Sequence, residues 1–306
     1  MSHSGAPVLG RSLQFQRVVL IDGGGYICRA FHALPPLYRP DGVPVNAVYG
    51  LTTMLMRLLK EKTPADYMAM IFDTACRTFR HNLYNAYKTH RPPLPEALVP
   101  QFALIRECLQ AFNIAIVEQA GYEADDLIAT YARQAVAQGA NVTIFSTDKD
   151  LMQLVRHGIV LWDPLKKCAI GQDQVRKKFG VDPCQVADVQ ALAGDPTDNV
   201  PGVPGIGVKI AANLITCFGD LETLLSRAGE ITQVRIRRIL LDHAERARLY
   251  RELVQLKDDV TVATPLTALI LRPLNPEAVR AFLRAQAFHS LLRRFERFFH
   301  PNDSSS

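Results

Sequence analysis

Short apolar, β-branched runs that stop at a carboxylate recur along the first half of this chain, and they constrain its fold more than any other feature. Val18 to Ile21 ends at Asp22-Gly23, Tyr67 to Phe72 ends at Asp73, and Val142 to Phe145 leads through Ser146-Thr147 to Asp148. Ile114 to Val117 and Ile159 to Trp162 are further runs of this kind. Between them lie segments with helical apolar spacing. Asn46 to Leu59 places Val48, Leu51, Leu55, Leu58 and Leu59 on one face, and Leu98 to Phe112 and Ala124 to Ala137 follow the same period. A further helix is predicted from about Lys149 to Leu154, and a turn at Gly23-Gly24-Gly25. Strands alternating with helices predict an α/β fold with a mostly parallel central sheet flanked by helices. Ligands bind such sheets beyond the carboxyl ends of the strands. Asp22, Asp73 and Asp148 fall at those ends.

Six more acids stand in short motifs: Glu123, Asp125 and Asp126 in Gly121-Tyr122-Glu123-Ala124-Asp125-Asp126, Asp150 beside Lys149, and Asp195 and Asp198 in Gly194-Asp195-Pro196-Thr197-Asp198-Asn199. An acid in a first helical turn also gains from the helix dipole, so position alone does not make it catalytic. Nine acids brought together are another matter. A like-charge pair about 4 Å apart costs roughly 4 kcal/mol at an effective dielectric of about 20. A few such pairs rival a domain's whole stability of about 5–15 kcal/mol. Convergence therefore demands bound cations, and all-oxygen ligands suit Mg²⁺ or Mn²⁺.

The chain has 306 residues, 48% of them hydrophobic and 21% charged, which fits a globular protein with a sizeable core. No apolar run reaches bilayer length, and residues 1–16 are polar, with no apolar signal core. They are expected to be flexible, as is the polar tail 300–306. The six cysteines form no Cys-x-x-Cys pair, which argues against structural zinc and for a reducing, cytoplasmic setting. The net charge of +5 is compatible with a polyanionic partner, and the cations cluster away from the acids.

Thr78 to Pro100 is too long for a tight strand-to-helix connection. It interleaves Phe79, Arg80, Tyr84, Tyr87, Lys88 and Arg91 before Pro92-Pro93, a mixture suited to stacking and phosphate contacts on single strands. Beyond Gln172 helix and loop predominate. Helical stretches flank Gly202-Val203-Pro204-Gly205-Ile206-Gly207-Val208-Lys209, a helix-hairpin-helix pattern whose glycines let backbone N–H groups approach a phosphate, with Lys209 adding charge. The bland alternative is an ordinary helical turn. Neither the dinucleotide fingerprint nor the Walker pattern is present.

In combination these motifs resemble the 5′-nuclease (flap endonuclease) family, nearest to the 5′→3′ exonuclease domain of bacterial DNA polymerase I and its free-standing homologues. The matching stretches run in order from Leu20-Ile21-Asp22-Gly23, through Tyr26 and Arg29 to Pro36-Leu37, Ala47 to Gly50, Phe72-Asp73, Thr78 to Arg80, Tyr87-Lys88 and Arg91 to Pro93. They continue with Gly121 to Asp126, Asp148 to Asp150, and Gly194 to Gly207. The resemblance implies a PIN-like or resolvase-like core over residues 17–180 with a helical arch near 78–100. It implies a helical DNA-binding region over 181–299, with a helix-three-turn-helix at about 186–218. It implies that Asp22, Asp73, Glu123, Asp125 and Asp126 hold a first metal ion and Asp148, Asp150, Asp195 and Asp198 a second. Tyr87, Lys88, Arg91 and Arg29 match residues at the scissile region. Arg80, Gly202, Gly205, Gly207 and Lys209 match DNA contacts, with K⁺ a further expected ion at the hairpin turn. Gly24, Gly25, Cys28 and Thr147 depart from the family's usual residues, and no metal ligand is lost.

The expected protein is a monomeric, two-metal, Mg²⁺-dependent nuclease, with Mn²⁺ as a substitute. Its expected partner is DNA with 5′ flaps, nicks or single-stranded 5′ ends, and no membrane. A binding module that recognises flaps or branches without cutting is the rival reading, and the loss of a carboxylate would have favoured it. PIN-like ribonucleases share the acidic core but lack the glycine hairpin and basic arch. Nothing after residue 300 resembles a polymerase continuation, so a free-standing protein is expected.

Overall fold

A computed structural model describes residues 16–60, 65–164 and 166–299. The segments expected to be flexible, residues 1–15 of the N-terminal stretch and the tail 300–306, lie outside the described residues. The elements follow as β1 (Arg17–Asp22), α1 (Gly23–Ala33), α2 (Asn46–Leu58), β2 (Tyr67–Ile71), α3 (Phe79–Leu83), α4 (Gln101–Ala111), β3 (Ala115–Val117), α5 (Ala124–Ala137), β4 (Asn141–Phe145), β5 (Ile159–Asp163) and β6 (Cys168–Ile170). Helices then take over: α6 (Gln172–Phe179), α7 (Val186–Ala193), α8 (Val208–Phe218), α9 (Leu221–Ser226), α10 (Val234–Asp242), α11 (Ala244–Val254), α12 (Pro276–Ala285) and α13 (His289–Phe299).

The sheet order is β3-β2-β1-β4-β5-β6, parallel except for β6, which runs against β5. Chain order reverses between β1 and β4, and the crevice beyond their carboxyl ends is where ligands bind such sheets. Alternation along β1 divides the core. Val18 and Leu20 face one layer with Leu127, Tyr131, Val189 and Leu253, while Val19 and Ile21 face the other with Leu51, Leu55, Ile105 and Phe295.

Several boundaries differ from expectation. Gly23 to Gly25 form the first turn of α1, because the Asp22 side chain accepts from the Gly25 N–H and caps the helix. The helix predicted after Lys149 is a 3₁₀ turn over Asp150–Leu154. The arch segment carries one short helix, α3, followed by turns that fold back toward the sheet. The helical region expected as one unit to residue 299 divides. The part through Val254 extends the Leu20 face, whereas α12 and α13 pack Val279, Phe282, Leu283 and Leu291 into the opposite layer beside α4.

Candidate active site

Asp22 leaves β1 at the crevice, buried. Its Oδ1 accepts from the Gly25 N–H at 3.0 Å and its Oδ2 from the Ser146 hydroxyl at 2.7 Å. A Cβ on residue 25 would stand 2.3 Å from Asp22 Oδ2, so bare backbone lets the carboxylate lie across the helix terminus. Asp73, two residues past β2, accepts from the Ala124 N–H at 2.7 Å and so sits on the N-terminus of α5. Asp125 projects from that first turn. Asp148 and Asp150 follow β4, joined by a bond from the Asp150 N–H to Asp148 Oδ1 at 2.9 Å.

These acids press on one another. Burial pushes the Asp22 carboxyl up to about 6, against its bonds from Gly25 and Ser146, and Asp148 and Asp73 push it further. Burial likewise raises Asp125 well above the carboxylate range, with Asp148, Asp22 and Asp73 adding to it. Burial, then Asp148, Asp195 and Asp198, push Asp150 up to about 7. Asp73 reaches solvent at the mouth, yet partial desolvation raises it too.

Cations meet the remaining acids. Lys88 Nζ lies 2.7 Å from Glu123 Oε1 and 3.6 Å from Asp198 Oδ2, Arg91 donates to Asp198 Oδ1 at 2.6 Å, and Lys149 to Asp195 Oδ1 at 2.6 Å. The Tyr87 hydroxyl lies 3.0 Å from Glu123 Oε2 and 2.9 Å from Asp198 Oδ2, its single proton shared between the two acids. Its burial among those acids holds the phenol protonated. Burial would lower Lys88, but Glu123 and Asp198 outweigh it and keep the ammonium charged. Burial would raise Asp198, but Lys88, Arg91 and Tyr87 outweigh it and hold the carboxyl below its ordinary range. Among the described residues, no three acids close into a ligand shell as they stand. The donor set itself fits a hard divalent cation: oxygens only and mutually repelling, with Lys178 the cation felt by Asp148 and Asp150.

The family follows from comparison with known proteins. Residues 17–180 match the model of the 5′-3′ exonuclease N-terminal resolvase-like domain, and residues 181–277 that of the 5′-3′ exonuclease C-terminal SAM fold. The chain belongs to the 5′-3′ exonuclease family. Over 90% of its length it is 51% identical to a DNA polymerase I of Rhizobium leguminosarum, of which it spans 28%. With a 5′-3′ exonuclease of Aquifex aeolicus it shares 35% identity, over 92% of this chain and 95% of that protein. Among solved structures, the bacteriophage T5 D15 flap endonuclease, in a complex with DNA and metal ions, superposes with a TM-score of 0.67 at 20% identity. That match covers 89% of this chain and 100% of the other. The catalytic core of Rad2 with a DNA substrate gives a TM-score of 0.60 at 15% identity, covering 93% and 92%. At those identities the likeness is one of fold.

Within this exonuclease fold, three expected roles are corrected. Arg80 is buried, not open to DNA: its guanidinium bonds both oxygens of Asp126 at 2.6 and 2.7 Å and the Leu253 and Gln255 carbonyls at 2.7 and 3.0 Å. Asp126 is thereby withdrawn from the metal set. Its oxygens also accept from the Glu123 and Lys257 N–H groups, which leaves no lone pair toward the crevice. Gly202 is interior too. At φ +71° its Cβ position lies 2.3 Å from the Gly194 nitrogen, so it lets two loop strands touch rather than contacting a phosphate.

Gly205, Gly207 and Lys209 are exposed at the start of α8, where Gly207 is the N-cap. Arg235 of α10 reaches the same place, its guanidinium 3.9 Å from the Cβ position of Gly205. Arg29 is exposed and lines a cleft with Tyr26, Ser146 and Thr147. Sequence reasoning missed Ser146, Gln190 and Arg235. The two neutral residues carry no charge signal, and nothing in the sequence separates Arg235 from Arg237 and Arg238 beside it.

Proposed function

We propose that this chain is a structure-specific 5′-nuclease, acting as 5′→3′ exonuclease and 5′-flap endonuclease on DNA in replication and repair. The observation that carries the reading is the convergence of Asp22, Asp73, Asp125, Asp148 and Asp150 at the switch point of the sheet, where burial first and then the neighbouring acids raise Asp22, Asp125 and Asp150. Asp22, Asp73, Glu123 and Asp125 would hold one Mg²⁺, and Asp148, Asp150, Asp195 and Asp198 a second, with Mn²⁺ able to substitute. When bound, such a pair supplies an activated water and charge stabilisation at the leaving 3′-oxygen.

The chain's own groups do the rest. Lys88 and Arg91 present their charges to the crevice on Glu123 and Asp198, where a scissile phosphate competes for them. Tyr87, held protonated, fixes Glu123 relative to Asp198. Arg29, exposed in the cleft beside Ser146 and Thr147, adds a further cation near the acids. The exposed N–H groups around Gly205 and Gly207, with Lys209, hold the adjoining duplex without reading its sequence. K⁺ at that turn, a monomeric state and a cytoplasmic setting complete the reading. The last is supported by six unpaired thiols.

Asp125→Ala tests the site. Cleavage should be abolished while affinity for a 5′-flap duplex, read by fluorescence anisotropy, is largely kept. Full cleavage in that variant would remove the carboxylate cluster from the mechanism.

A further inference from the structure

Two neutral side chains tie the acids to one another. Ser146 is buried to 3% exposure between the two halves of the cluster. Its single hydroxyl proton goes to Asp22 Oδ2 at 2.7 Å, and its oxygen accepts the Asp148 N–H at 2.9 Å, which turns the chain so that Asp148 faces Asp22. Gln190 of α7, equally buried, spends its amide protons on two acids: Asp150 Oδ1 at 2.5 Å and Asp195 Oδ2 at 3.2 Å. Its carbonyl oxygen faces the Gln153 amide at 3.4 Å, and that amide also donates to the Val254 carbonyl at 2.8 Å. This network fixes which way the Gln190 amide points. With the bond from the Asp150 N–H to Asp148, an unbroken path of hydrogen bonds runs Asp22, Ser146, Asp148, Asp150, Gln190, Asp195.

We propose that Ser146 and Gln190 are positioning residues that hold these carboxylates in register for divalent cations. The inference rests on the metal-dependent reading of the site given above. Its physical basis is the choice of neutral donors. Lys88, Arg91 and Lys149 cancel charge on the acids they touch and must yield to an incoming cation. A hydroxyl and an amide restrain the oxygens while leaving their negative charge intact. Without them the acids repel and splay, and assembling a ligand shell costs more. Partners that orient metal ligands in this way are worth about 10–100-fold in metal affinity when lost.

The test is Mn²⁺ alone, titrated calorimetrically into the full chain as wild type, Ser146→Ala, Gln190→Leu and Ser146→Thr, with the metal-free melting temperature measured for each. Ser146→Thr keeps the hydroxyl, and a cleft of about 50 Å³ borders the residue. Ser146→Ala and Gln190→Leu should bind Mn²⁺ about 10–100-fold more weakly, Ser146→Thr should bind like wild type, and metal-free melting should not fall in step. Wild-type affinity in both weakened variants overturns the inference. So does a loss in Ser146→Ala that threonine does not restore and that tracks a drop in metal-free melting. A wild type that binds no Mn²⁺ would overturn the reading of the site and this inference with it, whereas equal binding by all four proteins overturns this inference alone.

Discussion

Replacing Arg80 with alanine separates a structural role from a DNA contact. The guanidinium is 1% exposed and the Asp126 carboxylate 0%. Four hydrogen bonds join α3 to the start of α5 and to the end of α11 through this one side chain. Removing it strands a buried carboxylate that keeps only two backbone donors, and two carbonyls lose theirs. Breaking a buried pair by deleting one partner costs about 3–5 kcal/mol. In a chain of this size each kcal/mol moves the melting midpoint by about 2 °C, so Arg80→Ala should melt roughly 6–10 °C lower. Urea denaturation gives the free energy directly. The double variant Arg80→Met with Asp126→Asn should recover part of the loss, because it no longer buries an unpaired charge. An Arg80→Ala protein within about 1 kcal/mol of wild type, whose DNA affinity had lost about 0.9 from its salt slope, would refute the reasoning and return Arg80 to a phosphate.

Further outcomes follow from the same geometry. Gly202→Ala should destabilise the fold by about 1–3 kcal/mol, from a left-handed backbone and a blocked approach to Gly194, while the salt slope of DNA binding stays unchanged; a changed slope at wild-type stability would contradict this. Lys88→Ala should slow single-turnover flap cleavage by about 10²–10³-fold, and an unchanged rate would remove Lys88 from the chemistry. The raised carboxyls give the metal-free protein an inverted pH response. Asp22 rises from 3.8 to about 6 and Asp150 to about 7, so the folded state binds these protons more tightly than the unfolded state. Stability should therefore be fullest below about pH 4 as far as these groups go and be lost as pH rises through about 7. Asp198, held low, opposes this only below the ordinary carboxylate range. Metal-free melting should fall between about pH 4 and about pH 7, and saturating Mg²⁺ should cancel the fall; a flat metal-free profile would contradict the burial and crowding of these acids.

The parallel strands were legible because a buried strand needs an apolar run, and β1, β2 and β4 each carry one that ends near an acid. β6 was not: three residues at an exposed sheet edge show no alternation. The nine acids were legible as residue types at strand ends and helix starts. Which of them face the crevice was not, because Asp126 is claimed by an arginine 46 positions away and local sequence cannot show such a partner. Helices α12 and α13 fall where helix and loop were expected, but a helical expectation does not say against which layer a helix packs.

The central claim is tested most directly by cleavage of a 5′-flap duplex, labelled at either end, with Mg²⁺ and with EDTA. Cutting near the flap junction that requires the metal and leaves a 5′-phosphate and a 3′-hydroxyl is the predicted result. Tight binding without cutting, in Mg²⁺ and again in Mn²⁺, would contradict it and make the chain a protein that recognises branched DNA.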